Sequence, residues 1–197
     1  MIRVADGVYK KGELPSMAIK SAPGAAFADA DLSLDVGAGV YHDIQHFLFR
    51  EALLLDHHRF DEWLGLLAED VVFRMPSGFA RGIGMETPAG VEHFNDDRRA
   101  LTARIRTLQE RIVSGQIHPG QTRRFITNVI ICPCSRDEYN VMSYLMLTRN
   151  ARGEAHSQVY SAERYDRLRR AGHKLRIVRR EIVLDQRDGN VDIDMYL

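Results

Sequence analysis

The C-terminal half of the chain constrains the fold most, because its sequence predicts four strands in succession. They cover residues 124–132, 139–148, 155–168 and 174–185. The segments Asn-Ala-Arg-Gly at 150–153 and Arg-Ala-Gly-His at 170–173 each contain a glycine that suits the positive φ of a tight turn. Strands joined by such turns pair antiparallel. We therefore expect a long antiparallel meander in this half.

Two helices are predicted in the N-terminal half, before a short strand. Over residues 40–58, apolar residues recur at helical spacing and share one face: Ile44, Phe47, Leu48, Leu54 and Leu55. A second, short helix is predicted to begin near Asp61, which suits the N-cap position. We expect Trp63, the only tryptophan, to pack against the first helix in the core.

A strand, a loop and a third helix follow. The strand is predicted over residues 71–73, the helix over 94–112, and the loop over 80–90, which holds three glycines and a proline. The apolar stripe of the helix comprises Phe94, Leu101, Ile105, Leu108 and Ile112. Helices followed by a meander indicate an α+β domain. We expect a strongly curved antiparallel sheet wrapped around the N-terminal helices, forming a cone with a pocket.

The first part of the chain lacks these patterns. Residues 21–26, Ser-Ala-Pro-Gly-Ala-Ala, are small and have no amphipathic period. We therefore interpret residues 1–39 as an N-terminal arm that is extended or partly disordered, and residues 40–197 as a single α+β cone domain. An ordered arm would need a neighbouring subunit to hold it.

Charge and hydropathy argue against several classes of function. Lys+Arg and Asp+Glu both total 27, and this zero net charge disfavours nucleic-acid binding, which depends on neutralising phosphates. No stretch approaches the ~20 apolar residues of a membrane helix, and residues 1–11 lack the apolar region of a secretory signal. Cys132 and Cys134, on either side of Pro133, are interpreted as reduced thiols. We therefore expect a cytoplasmic protein that binds neither nucleic acid nor membrane.

The histidines and cysteines form no complete metal motif. His42 and His46 have the i, i+4 spacing of a zinc-protease motif, but Asp43 stands where that motif needs glutamate, and no third ligand is evident. We expect both histidines on the outward side of the first helix, alongside Phe49 and Leu53, as a subunit contact. The Cys-Pro-Cys unit lacks the further cysteines of a four-ligand site.

Three ionisable residues near the first helix are candidates for acid–base chemistry. Glu51 falls on the apolar face, where it is either a pocket general acid or base with a raised pKa or, as we favour, a salt-bridge partner of Arg179 or Arg180. Asp56 and His58 form either an acid–base dyad or a pair of solvent-exposed end groups.

Arginines cluster at two places. Those of the third helix are interpreted as a solvated face with local ion pairs: Arg98, Arg99, Arg104, Arg106 and Arg111. Arg123 and Arg124 lie on a strand, where we expect ion pairs within the domain or across a subunit contact. Nucleic-acid binding is not favoured, because neither interleaved exposed aromatics nor a basic net charge accompanies these arginines.

Four sequence blocks occur in order along the chain. They are Leu-Leu-Leu-Asp at 53–56 with Phe-Asp-Glu-Trp-Leu at 60–64, the segment 96–108, Thr-Arg-Arg-Phe-Ile-Thr-Asn-Val at 122–129, and Arg-Arg-Glu-Ile-Val-Leu-Asp-Gln at 179–186. Over residues 40–186 the chain resembles the beta (small) subunits of bacterial aromatic-ring-hydroxylating dioxygenases. It departs from that family at residues 112–120, which lack the usual tryptophan and acidic residue, and at Arg124, where the family usually has histidine.

The resemblance implies a cone-shaped fold like that of nuclear transport factor 2, cystatin and ketosteroid isomerase. It implies a large alpha subunit as partner, carrying a Rieske iron–sulfur cluster and a mononuclear iron, and an assembly of three alpha and three beta chains with the beta chains as a homotrimer. It also implies that the beta chain is structural, with no cofactor and no catalytic residue of its own. The alternative is a free-standing isomerase, dehydratase or cyclase of this fold that uses Glu51, Asp56 or His58.

Overall fold

The structure, a computed structural model, describes residues 3–4, 7–8, 36–76, 92–151 and 156–185. The predicted loop over residues 80–90, part of the turn at 150–153 and most of the predicted N-terminal arm lie outside the described residues. Within that arm, β1 (Arg3–Val4) and β2 (Gly7–Val8) pair antiparallel. The division of the chain at residue 39 stays a prediction.

The first two predicted helices are present. α1 (Ala38–Asp56) buries all five predicted apolar residues, together with Glu51 and Ala52. α2 (Phe60–Leu64) carries the buried Trp63, as expected. The predicted N-cap at Asp61 is wrong, because the buried Phe60 already begins the helix. Asp61 lies instead in the first turn, where its negative charge favours the positive end of the helix dipole.

The third helix begins later than predicted, because the residues before it form a strand. Phe94 belongs to this strand and lies opposite Met75 of the neighbouring strand, so its place in the helical stripe was wrong. Asp97 ends the strand and caps the helix, since its carboxylate accepts a hydrogen bond from the backbone N–H of Ala100 at 2.8 Å. The observed elements are β3 (Leu67–Pro76), which is longer than predicted, β4 (Glu92–Asp97) and α3 (Arg98–Val113).

The four strands predicted for the C-terminal half are present with shifted ends: β5 (Gln121–Pro133), β6 (Glu138–Asn150), β7 (Gln158–Ala171) and β8 (Lys174–Leu184). Gly172, at φ 61°, supplies the positive φ of the turn between β7 and β8. One sheet runs in the order β4-β3-β8-β7-β6-β5. β3 and β8 pair in parallel, a pairing that the sequence did not predict, whereas the other neighbours in this sheet pair antiparallel.

The hydrophobic core lies between the helices and the inner face of the curved sheet. Side chains alternate between the two faces of a strand, so residues opposite one another in register share a face. On β7 and β8 this places Arg164 beside Ile182, and Asp166 beside Arg180, all four buried. The sheet therefore presents charged side chains to the interior, where the buried Glu51 of α1 lies.

Candidate functional site

Four charged side chains meet inside the core, and we call them the buried ion-pair cluster: Glu51, Arg164, Asp166 and Arg180. Arg180 donates from Nη1 and Nη2 to the two carboxylate oxygens of Glu51, the second at 2.8 Å. It also donates from Nε and Nη2 to Asp166, at 2.7 and 2.9 Å. Arg164 Nη2 lies 3.4 Å from an oxygen of Glu51 and 3.4 Å from one of Asp166. Two carboxylates thus balance two guanidinium groups.

Aromatic residues enclose this cluster. Trp63 donates a hydrogen bond from Nε1 to Glu51 Oε1 at 3.1 Å. The guanidinium carbon of Arg180 lies 5.6 Å from the centroid of the Phe73 ring, a cation–π geometry. The side chain of Glu51 is 0% exposed and that of Arg180 1% exposed. Charges this far from water are tolerated only when each is paired and hydrogen-bonded, so the cluster is a structural unit of the interior.

The charges of the cluster keep Glu51 ionised. Burial alone would raise the pKa of its carboxyl, because a buried carboxylate loses its hydration. The guanidinium groups of Arg180 and Arg164, with the hydrogen bonds from Arg180 and Trp63, outweigh burial and lower that pKa to about 2. Glu51 is therefore a carboxylate at neutral pH, with both oxygens bound, and does not have the raised pKa of a general acid.

Only one of the two predicted partners of Glu51 forms a salt bridge with it. The salt bridge forms with Arg180, whose side chain faces the interior. Arg179, one residue earlier on β8, is exposed and lies 3.3 Å from Glu181 instead. Burial would lower the pKa of Arg180, but Asp166 and Glu51 raise it, so this guanidinium stays charged.

A second buried contact joins the end of α1 to β5. Asp56 Oδ1 accepts hydrogen bonds from Arg124 Nη1 at 2.7 Å and from Thr122 Oγ at 3.1 Å, and Oδ2 accepts from the backbone N–H of Arg124 at 2.9 Å. The side chains of Arg124 and Asp56 are 6% and 8% exposed. Arg124 therefore makes an ion pair within the domain, one of the two arrangements expected for it.

The contact with β5 occupies Asp56 and does not support the predicted dyad of Asp56 and His58. Both oxygens of Asp56 are bound by β5, as described above. His58 follows α1 with φ 55° and is half-buried. Burial, then the charge of Arg124, lowers the pKa of His58. The contacts of Asp56 with β5 hold the end of the helix against the sheet.

The outward side of α1 carries the residues predicted for a subunit contact, and we call them the α1 surface strip: His42, His46, Phe49 and Leu53. All four are exposed, Phe49 by 48% and Leu53 by 51%. The rings of His42 and His46 lie 6.4 Å apart between centroids. Large apolar side chains grouped on one helix face are typical of a surface that another chain covers.

A further apolar surface on the sheet was not singled out from the sequence, and we call it the sheet-face patch: Phe125, Tyr144, Met146 and Val159. Each is at least 40% exposed. Phe125 and Met146 lie directly opposite in the register of β5 and β6. The alternation of side chains along β5 and β6 could have grouped these residues on one face. It does not tell which face of the sheet lies inside.

Arg98, Arg104 and Arg123 make contacts within the domain. Arg98 donates to the carbonyl oxygens of Leu64 and Leu67, the second at 2.8 Å, and so holds α3 to the start of β3. Arg104 lies 2.8 Å from Asp96 in a salt bridge. Arg99 and Arg106 are exposed on α3, and Arg111 is half-buried in its last turn. Arg123 is exposed and donates to the carbonyl oxygen of Thr122 at 2.6 Å.

Metal-binding residue types do not converge in the described part of the chain. There, no group of three His, Cys, Asp or Glu side chains is arranged to hold an ion. Cys132 is buried and Cys134 exposed, both as free thiols, and partial burial raises the pKa of Cys134.

None of the helices between residues 36 and 113 that the structure describes is long and apolar enough to span a bilayer.

Known proteins resemble the chain over most of its length. A family model described as ring hydroxylating beta subunit matches residues 50–188. The chain is 32% identical, over 88% of its length, to the beta subunit of biphenyl 2,3-dioxygenase from Rhodococcus jostii (strain RHA1), of which it covers 91%. It is 34% identical, over 77% of its length, to the beta subunit of benzene 1,2-dioxygenase from Pseudomonas putida, of which it covers 84%.

The fold also matches solved structures. A chain of naphthalene 1,2-dioxygenase with indole bound in the active site superposes with a TM-score of 0.70 and 21% identity, covering 83% of this chain and 86% of that one. The predicted fold class, an α+β cone of the cystatin-like kind, is confirmed.

Proposed function

This chain belongs to the family of ring hydroxylating beta subunits, and we propose that it braces the large, iron-containing alpha subunits of a dioxygenase that acts on aromatic rings. The observation that carries the structural role is the buried ion-pair cluster. It lies within the hydrophobic core and joins Glu51 of α1 to Arg164 and Arg180 of the sheet, with two carboxylates balancing two guanidinium groups. An interior built this way supports a rigid scaffold whose functional surfaces are on the outside.

The iron chemistry is assigned to the partner. A Rieske centre needs two cysteines and two histidines as ligands. This chain has 2 cysteines, and they flank Pro133 with one side chain buried and the other exposed. This donor set does not fit such a centre. We therefore place the iron–sulfur cluster in the alpha subunit. We propose that the mononuclear iron lies in the same subunit, where the assembled enzyme would add dioxygen to the ring.

A free-standing acid–base enzyme is the alternative, and it is not favoured. A general acid or base must reach the proton of a bound substrate. Both oxygens of Glu51 are bound by Arg180, and both oxygens of Asp56 are bound by β5. His58 is held at the end of α1 beside Arg124. Using Glu51 or Asp56 in catalysis would require breaking the contacts that hold the helix to the sheet.

We also propose a homotrimer of these chains within an assembly of three alpha and three beta chains in the cytoplasm. The zero net charge leaves little repulsion between copies. The sheet-face patch suits contact between copies, because the cores of homo-oligomer interfaces are apolar. The α1 surface strip, with its mixture of histidine and apolar side chains, suits the alpha subunit.

Purification of the tagged chain from its native host tests this proposal. We expect a second polypeptide the size of a Rieske oxygenase large subunit, and iron in the complex but not in the separated chain. Light scattering of the separated chain should give three times its 22.5 kDa mass. Stoichiometric iron in the separated chain, or turnover of a small molecule by it, would overturn the structural role.

A further inference from the structure

A pocket of about 460 Å³ opens where α1 meets the hairpin of β7 and β8. Its apolar lining comes from the buried side chains of Phe47, Leu66 and Leu175. His46 also lines the pocket, so it is continuous with the α1 surface strip. Four cationic side chains from three elements surround it, and we call it the cationic pocket: Arg50, Arg170, Lys174 and Arg176.

Positive charge predominates in this pocket. Two carboxylates line it, Asp43 and Glu62, against the four cations. Asp43 already accepts a hydrogen bond from Arg170 at 3.0 Å. Glu62 is bound at 2.6 Å by Arg59, a cation that does not line the pocket. The charge that remains positive therefore comes from α1 on one side and from β8 on the other.

We propose that the cationic pocket docks an extended acidic segment of the large subunit. The identity of the partner rests on the proposed function, whereas the preference for acidic chains rests on the pocket alone. Cations spread over three elements around an opening of this size suit several carboxylates on one chain better than a single small anion.

The strand geometry of β8 sets the expected spacing of those carboxylates. Lys174 and Arg176 are two residues apart on one strand, so their Cα atoms are separated by about 7 Å. Alternate residues of an extended segment have the same spacing. Phe49 and Leu53 lie next along α1 and are half exposed, so they would contact an apolar residue that flanks the acidic ones.

The first test uses the purified full chain and a fluorescein-labelled peptide of alternating glutamate and threonine, with fluorescence anisotropy as the readout. Its control peptide has glutamine in place of glutamate. K174E/R176E reverses two charges of the pocket, and R99E/R106E makes the same change in net charge on exposed residues of α3. Arg176 lies opposite Arg169 in register. R176E replaces this pair of like charges by a pair of opposite charges and should therefore preserve the hairpin.

We expect K174E/R176E to bind the acidic peptide about tenfold more weakly than wild type, since two surface ion pairs are lost. R99E/R106E should bind it within about twofold of wild type, since the net charge change alone acts weakly across screened distances. Equal losses in the two variants, or equal binding of the glutamate and glutamine peptides, would overturn the acidic preference of the pocket.

The second test measures association of the same variants with the large subunit purified from the native host. K174E/R176E should associate about tenfold more weakly than R99E/R106E if this pocket is the docking site. Association at wild-type strength by K174E/R176E would overturn the inference and leave the proposed function standing. A wild-type chain that does not bind the large subunit would overturn the proposed function, and the peptide measurement would still decide what the pocket binds.

Discussion

The substitution Glu51→Gln keeps the shape of the side chain and removes its negative charge from the buried ion-pair cluster. Arg164 and Arg180 then face Asp166 alone, and the amide nitrogen of the new residue points at guanidinium donors. Removing one partner of a buried ion pair typically costs about 3–5 kcal/mol of unfolding free energy. For a chain of this size that corresponds to a fall in Tm of roughly 6–20 °C.

The dependence of stability on pH provides a second test of the same interaction. The pKa of Glu51 falls from 4.5 to about 2 on folding, so the folded state binds its proton more weakly than the unfolded state does. The stabilisation is therefore complete above pH 4.5 and is lost as the pH falls through about 2. A shift of that size corresponds to roughly 3 kcal/mol. E51Q should lack this part of the acid dependence.

Urea unfolding followed by far-UV circular dichroism, at one fixed protein concentration, measures these effects. E62Q serves as the control, because Glu62 pairs with Arg59 at the exposed surface, and its unfolding midpoint should match wild type. If the cost of E51Q comes from uncompensated positive charge, adding R164M should recover part of it. Wild-type stability in E51Q, or additive losses in E51Q/R164M, would refute the reasoning.

The other expected outcomes concern α1, the turns and the sheet surface. Asp56→Asn should lower the unfolding free energy by about 2–3 kcal/mol, since it weakens charged hydrogen bonds with the buried Arg124; an unchanged midpoint in urea would contradict this. Gly120→Ala should destabilise more than Gly172→Ala in thermal melts. Both have positive φ, but a Cβ at Gly120 would lie 2.6 Å from a backbone oxygen, whereas one at Gly172 would meet open space. Met146→Glu should shift the mass in light scattering towards the 22.5 kDa monomer, and an unchanged mass would exclude the sheet-face patch from the contact between copies.

The periodicity of the sequence was sufficient for the elements whose apolar residues recur over many positions. The buried face of α1 was predicted from the helical spacing of its apolar residues, because burial of one face imposes that spacing. The four strands from β5 to β8 were predicted as a run of strands separated by glycine-containing turns. β4 was missed because it is short and its Phe94 fits the helical period of α3 equally well. Asp61 is a residue type favoured at N-caps, but the helix begins one residue earlier, at the buried Phe60.

The local sequence pattern did not predict which distant segments pair with one another. The parallel contact of β3 with β8 joins strands about a hundred residues apart, and the strand pattern is the same whichever neighbour a strand has. Asp56 illustrates the same limit, because nearness in sequence suggested His58 as its partner whereas folding brought Arg124 to it. The residues of the sheet-face patch were visible as apolar positions, but only the assembled sheet showed which of them face outward.

By itself, the sequence determined the α+β class, the helical face that carries Glu51, and the need of that carboxylate for a buried cation. Only the tertiary structure decided which cation it is. Neighbouring residues of a strand point to opposite faces, so Arg179 and Arg180 could not both turn inward, and the choice depended on which face of β8 the helices cover. That same choice brought Asp166 and Arg164 to Glu51, because strand pairing fixes which side chains share a face.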